Sequence, residues 1–309
     1  MTSGGFSVIS LRKKPKLMNN FTSNTGKLQI DEERAHRLDV RKPERAAPLS
    51  KAHIPPQGKV KFYNGASLVQ YIKPKYSIKG KNSFGQRSAI KKFTKNSRRR
   101  LLYKIGSIIK SVLPVFITLT YPNEYTHDSK QWKNDLENFW KRMERCWPGA
   151  SVIWKLEPQK RGAPHYHMLV WGVPYRELLK WTAKAWYEVV GSGDINHLLW
   201  HAGALGNGNK PCVSEVKSFR GVWSYASKYL GKPCEAEGWD HPGRFWGVKN
   251  AKCIPWAEIE TISITDREAY KLLRLMRRFA GMKNRPHLQS LTIFCEAQYW
   301  YNRRDSLFP

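Results

Sequence analysis

Acidic residues are scarce in this chain: 24 Asp and Glu stand against 54 Lys and Arg in 309 residues, a formal net charge of +30 with a sequence pI near 10.0. That balance belongs to proteins that contact nucleic acid. Cysteine is sparse as well. Cys146, Cys212, Cys234, Cys253 and Cys295 form no C-x-x-C pair and no short regular spacing, which excludes a disulfide framework and a zinc ribbon and makes a reducing cytoplasm the expected setting. No run approaches the roughly 18 apolar residues of a membrane span, and the first twenty residues lack a signal-peptide core, so a soluble, unsecreted protein is expected. What the chain does have is 41% apolar and 13% aromatic residues, enough to build a core and to exclude a wholly disordered basic tail.

The charge is unevenly spread. Residues 1–114 hold 26 Lys and Arg against 5 Asp and Glu, a net +21, while the remainder carries +9. Between Glu44 and Glu124 there is no acidic residue at all, and Arg45 to Lys110 contribute 17 positive charges, among them Lys91-Lys92 and Arg98-Arg99-Arg100. Self-repulsion at that density opposes compaction unless phosphates neutralise it, so residues 1–110 are expected to form a basic, partly disordered arm that tracks DNA or RNA. Within it, Val60 to Ile72 has the composition of short strands between the breakers Gly58 and Pro74.

From Leu113 the pattern becomes that of a folded domain, expected over residues 111–237. Val115 to Tyr121 is a β-favouring run stopped by Pro122, hence a buried strand. Trp132, Leu136, Phe139, Trp140, Met143 and Trp147 lie on one face of an amphipathic helix ended by Pro148-Gly149. Ser151 to Glu157 and His165 to Trp171 are strands joined by a breaker-rich turn, Pro158 to Pro164. A helix follows Pro174, then a short strand near Val213 to Val216 and a helix from about Gly221 to Leu230. The order predicts an α+β fold, an antiparallel sheet with helices packed on one face. Residues 238–309 form an extension with a strand at Ile259 to Ile264. After it comes a helix opened by the capping box Thr265-x-x-Glu268 and carrying Lys271, Arg274, Arg277 and Arg278.

Two constellations carry chemistry. On a strand, residues i and i+2 share a face about 6.7 Å apart, so His165 and His167 present two imidazoles side by side, with the Glu157 carboxylate brought to the same end of the sheet by a hairpin. Such a set leaves coordination positions open for water and a phosphate oxygen. Taken alone, two histidines on a half-exposed face are more often plain surface residues. The second is Tyr225-Ala226-Ser227-Lys228-Tyr229-Leu230-Gly231-Lys232, in which Tyr225 and Tyr229 stack on one helix face about 6 Å apart and Lys228 and Lys232 each follow a tyrosine by three. Taken alone, it is an amphipathic helix with two core tyrosines.

Together, in the order Phe116 to Tyr121, Glu157, His165-Tyr166-His167 and Tyr-x-x-Lys-Tyr-x-x-Lys, these elements resemble the rolling-circle replication initiators of the HUH endonuclease superfamily. The likeness is to initiators of small single-stranded DNA phages and related plasmids that carry paired tyrosines, over about residues 113–235. It implies a five-stranded antiparallel sheet of ferredoxin-like type. It also implies metal ligation by His165, His167 and Glu157, with His127 or Asp128 as other candidates for the third ligand, and Mg²⁺ or Mn²⁺ as the cofactor. Tyr225 and Tyr229 would be nucleophiles, with Lys228 and Lys232 as phosphate or tyrosinate partners. The implied reaction is site-specific nicking and rejoining of single-stranded DNA through a 5′-phosphotyrosine. The implied partners are single-stranded or locally melted DNA at a phage or plasmid origin and the helicase and polymerase of a bacterial host, in whose cytoplasm the protein would work. Trp154, Trp171 and Trp223 are candidates for base stacking. A conjugative relaxase or a single-strand transposase shares the same parts, and a non-catalytic nucleic-acid-binding module on the same sheet is the reading from a different class.

Overall fold

The computed structural model describes residues 57–74, 90, 92–225, 238–240, 242–279, 281, 290–293, 300 and 302. In chain order its elements are β1 (Gly58–Tyr63), β2 (Val69–Ile72), α1 (Lys95–Gly106), β3 (Val115–Thr120), α2 (Ser129–Cys146), β4 (Ser151–Pro158), β5 (Pro164–Trp171), α3 (Tyr175–Val189), α4 (Ile195–Ala202), β6 (Val213–Glu215), α5 (Phe219–Tyr225), β7 (Trp246–Lys249), β8 (Ile259–Ile264), α6 (Asp266–Phe279) and β9 (Leu291–Ile293).

Because successive strand residues face opposite ways, a strand apolar at every position must be covered on both sides. Strands β3, β4 and β5 are of that kind, and they form the middle of a five-stranded antiparallel sheet in the order β6-β3-β5-β4-β7. The unit β3-α2-β4-β5-α3-β6 has the split β-α-β connectivity of a ferredoxin-like fold, with β7 added beside β4. Ile117, Leu119, Leu156, Tyr166 and Met168 point to one face, where Trp132, Leu136 and Phe139 of α2 and Trp186 of α3 close over them. Each large apolar side chain fully buried in this way contributes roughly 1.5–3 kcal/mol. Asp128 starts α2 by accepting the Lys130 N–H at 2.8 Å, satisfying one of the amide donors exposed at a helix start.

The second face of the sheet is covered at one end only. There Phe116, Ile153, Leu169 and Trp171 pack with Leu101 and Ile105 of α1 and with Phe219 and Val222 of α5. At the other end of that face stand Thr118 and Thr120 of β3, Lys155 and Glu157 of β4, and His165 and His167 of β5. Helices α2 and α3 thus occupy the face expected for them, and α1 and α5 add a partial second layer.

The expected division at 1–110, 111–237 and 238–309 needs correction on two points. The basic segment is not one arm: β1, β2 and α1 lie within it, and α1 buries Leu101, Leu102 and Ile105 while turning Arg99 and Arg100 outward. Nor does the sheet end at residue 237, since β7 supplies its fifth strand, paired with Val152 to Lys155 of β4. Strands β1 and β2 pair with β8 and β9 from the far end of the chain in a second antiparallel sheet, β8-β1-β2-β9, against which α6 packs Ala269, Leu272, Leu273 and Met276. The capping box is present, with Thr265 N–H donating to Glu268 Oε2 at 2.7 Å. Among the described residues no helix is long and apolar enough to cross a membrane.

Candidate active site

The hairpin β4-β5 determines the arrangement of the site. Its register places Glu157 directly across from His165 and Lys155 across from His167, while β3 on the other side sets Thr120 against His165 and Thr118 against His167. All six side chains share one face of the sheet, in two rows. The two imidazoles are 4.5 Å apart between ring centroids and nearly perpendicular, at 85°. Glu157 reaches diagonally: its Oε1 is 2.8 Å from His167 Nε2, and its Oε2 accepts from Lys155 Nζ at 2.8 Å.

These contacts govern the charges. Burial alone would raise the Glu157 carboxyl, but the hydrogen bond and charge of His167, with Lys155 behind them, hold it down to about 2, so it is ionised throughout the physiological range. His165 is pushed down to about 3, first by burial and then by neighbouring His167, and is therefore neutral. Lys155 is fully buried, and the Phe93 ring centroid lies 5.1 Å from its Nζ. Nothing in the sequence singles it out; alternation on a strand that also carries Glu157 is the available signal.

A second imidazole pair stands behind the first. His197 and His201, one turn apart on α4, are both buried, with ring centroids 4.5 Å apart. The Thr120 N–H, beyond the reach of β6, donates to His201 Nε2 at 3.1 Å. The Thr120 carbonyl accepts from Trp186 Nε1 at 2.7 Å and from His197 Nε2 at 2.8 Å. Those partners fix both tautomers: His201 carries its proton on Nδ1, donated to the His197 carbonyl at 2.9 Å, and His197 carries its own on Nε2. Thr120, anchored at both backbone atoms, meets His165 Nδ1 through its hydroxyl at 3.1 Å. The His-x-x-x-His spacing on α4 is the sequence signal for this pair.

Among the described residues no three His, Cys, Asp or Glu side chains form a ready cage for a metal ion. The donor set of Glu157, His165 and His167 nevertheless suits a divalent cation, because it combines an ionised carboxylate with a neutral imidazole and a second imidazole whose Nε2 already faces that carboxylate. The other candidate ligands have different contacts: Asp128 caps α2, and His127 lies against the Tyr125 ring at 5.0 Å. Trp154 and Trp171 are core residues, 7% and 3% exposed, and are not stacking platforms. Tyr225 is the last described residue of α5, on the helix that packs over the face carrying His165 and His167. Its side chain, that of Trp223, and all of Lys228, Tyr229 and Lys232 lie outside the described residues.

Residues 114–234 match the protein family described as Replication-associated protein, of the ORF2 and gene II protein type. The matched segment runs from the start of β3 past α5, and so includes the histidine strand, the α4 pair and the tyrosine motif. No curated protein and no solved structure matches the chain.

Proposed function

We propose that this protein initiates rolling-circle replication by nicking and rejoining single-stranded DNA at an origin through a phosphotyrosine intermediate. The observation that carries the proposal is the pairing of His165 and His167 with Glu157 at the uncovered end of a ferredoxin-like sheet, inside a segment similar to replication-associated proteins.

Glu157, His165 and His167 would hold Mg²⁺ or Mn²⁺, which when bound draws charge from the non-bridging oxygens of the scissile phosphate. The Tyr225 phenolate oxygen attacks phosphorus. Its O–P bond forms as the bond to the 3′ oxygen breaks, and that oxygen departs as a hydroxyl with a proton taken up from water. Lys228 and Lys232 favour the phenolate by their charge. Tyr229, one turn along, makes the second cut after a full circuit, and the free 3′-hydroxyl then attacks the first phosphotyrosine to close the circle and release the phenolate. A duplex hides its backbone from a helix-borne tyrosine, so the substrate is single-stranded or locally melted.

Nicking should require a divalent cation. His165→Ala and His167→Ala should each abolish it while leaving the circular dichroism spectrum unchanged, as followed on a labelled origin oligonucleotide. Full cleavage in excess EDTA would refute the proposal.

A further inference from the structure

Helix α6 belongs to neither the histidine site nor the segment similar to replication-associated proteins, yet its outward face is strongly patterned. Arg267, Lys271, Arg274 and Arg278 are all exposed and follow one another at spacings of four, three and four residues, which places them in a single stripe about 16 Å long. Arg277, next to the last of them, is turned into the core at 7% exposure, so the stripe is a selected face and not a helix charged all round. Both carboxylates of the helix, Asp266 and Glu268, are in its first turn, and Glu268 is engaged by Thr265. Beside the stripe stands Tyr270, 53% exposed, an aromatic ring that folding alone would place in the core.

We propose that this face of α6 is a second nucleic-acid-binding surface, one that holds single-stranded DNA away from the histidine site. Four cations in a row neutralise successive phosphates of a backbone. An exposed tyrosine among them gives an unpaired base a surface on which to stack, which a duplex, with its bases already stacked inside, cannot use. The opposite face of the helix is committed to the β8-β1-β2-β9 core, so the stripe is held rigid on its sheet. A strand displaced during synthesis is the form of DNA such a surface suits, and the inference does not depend on the chemistry assigned to His165 and His167.

The test is fluorescence anisotropy of the full-length protein with labelled oligo-dT, which offers no cleavage site, across a salt series in EDTA. Replacing Arg267, Lys271, Arg274 and Arg278 together by Gln should lower the slope of log affinity against log salt by about 2 to 3. Tyr270→Ala should weaken binding about tenfold and Tyr270→Phe should restore it. Neither change should shift the thermal melt, since all five side chains are exposed, nor reduce adduct formation on a short origin oligonucleotide. An unchanged slope and affinity in the quadruple variant would overturn the proposal. So would displacement of the oligo-dT by duplex DNA or by RNA at lower concentration than by unlabelled single-stranded DNA.

Discussion

His201 is one turn of helix from His197 and one residue from His165 through Thr120, and its burial has a measurable consequence. The imidazole is 1% exposed and held down to about 4, first by that burial. The unfolded chain protonates near pH 6.5, so below that pH the unfolded state binds the extra proton. The contribution of neutral His201 to stability is complete above about pH 6.5 and is lost as pH falls toward 4. At pH 5 the loss is about 2 kcal/mol, taken as 1.5 pH units at 1.36 kcal/mol each. Glutamine at this position can still accept the Thr120 N–H but does not titrate. Urea unfolding at pH 7.5 and pH 5 should therefore show a drop in stability about 2 kcal/mol smaller for His201→Gln than for the unmodified chain. Equal drops would show that His201 is not the titrating group. His165, pushed down to about 3, adds to acid sensitivity in the same direction.

At the level of elements, the sheet depends on β7. Gly247 lies opposite Trp154, and a Cβ there would come 2.8 Å from the indole Cζ2, closer than such atoms approach. The indole is 7% exposed and packed in the core over α2, so it has little room to yield. Gly247→Val should cost about 1–3 kcal/mol in a denaturant melt. No loss would mean that β7 is not docked as described.

The same strand shows what was legible from sequence and what was not. Strands β3, β4 and β5 and helices α2 and α3 carry strong periodicity and adjacent breakers, so their type and order could be read directly, and the i, i+2 histidines with them. Trp246 to Lys249 is four residues without alternation, and only pairing with β4 makes it a strand. Strands β1 and β8 pair across almost two hundred residues, a contact that no local pattern encodes. Helix α1 is hidden by its own charge: Arg98-Arg99-Arg100 dominates the composition, while the face it buries shows only in Leu101, Leu102 and Ile105. Lys155 and the His197–His201 pair are not visible locally because their roles arise from neighbours on other elements.

For the whole molecule, the +30 charge forecasts DNA binding that weakens steeply with salt. The folded parts of the basic segment make that testable without deletion, which would remove β1 and β2. Arg99 and Arg100 are exposed on α1, the helix that packs beside the candidate active site. Changing both to Gln should reduce the salt slope by about 1 to 2 and leave the cleavage position unchanged, because phosphate contacts position the strand without reading it. A shifted cleavage position, mapped by gel against a sequencing ladder, would mean that these arginines contact bases.

Identifying the residue that carries the DNA decides between a nickase and a module that only binds. The protein is incubated with Mn²⁺ and a single-stranded origin oligonucleotide and digested with trypsin and nuclease. Mass spectrometry then locates the peptide bearing a nucleotide remnant. Attachment is expected at Tyr225 and at Tyr229, with each single Tyr→Phe variant still forming an adduct through the other and the double variant forming none. Attachment at any other residue, or an adduct that persists in the double variant, would contradict the phosphotyrosine mechanism.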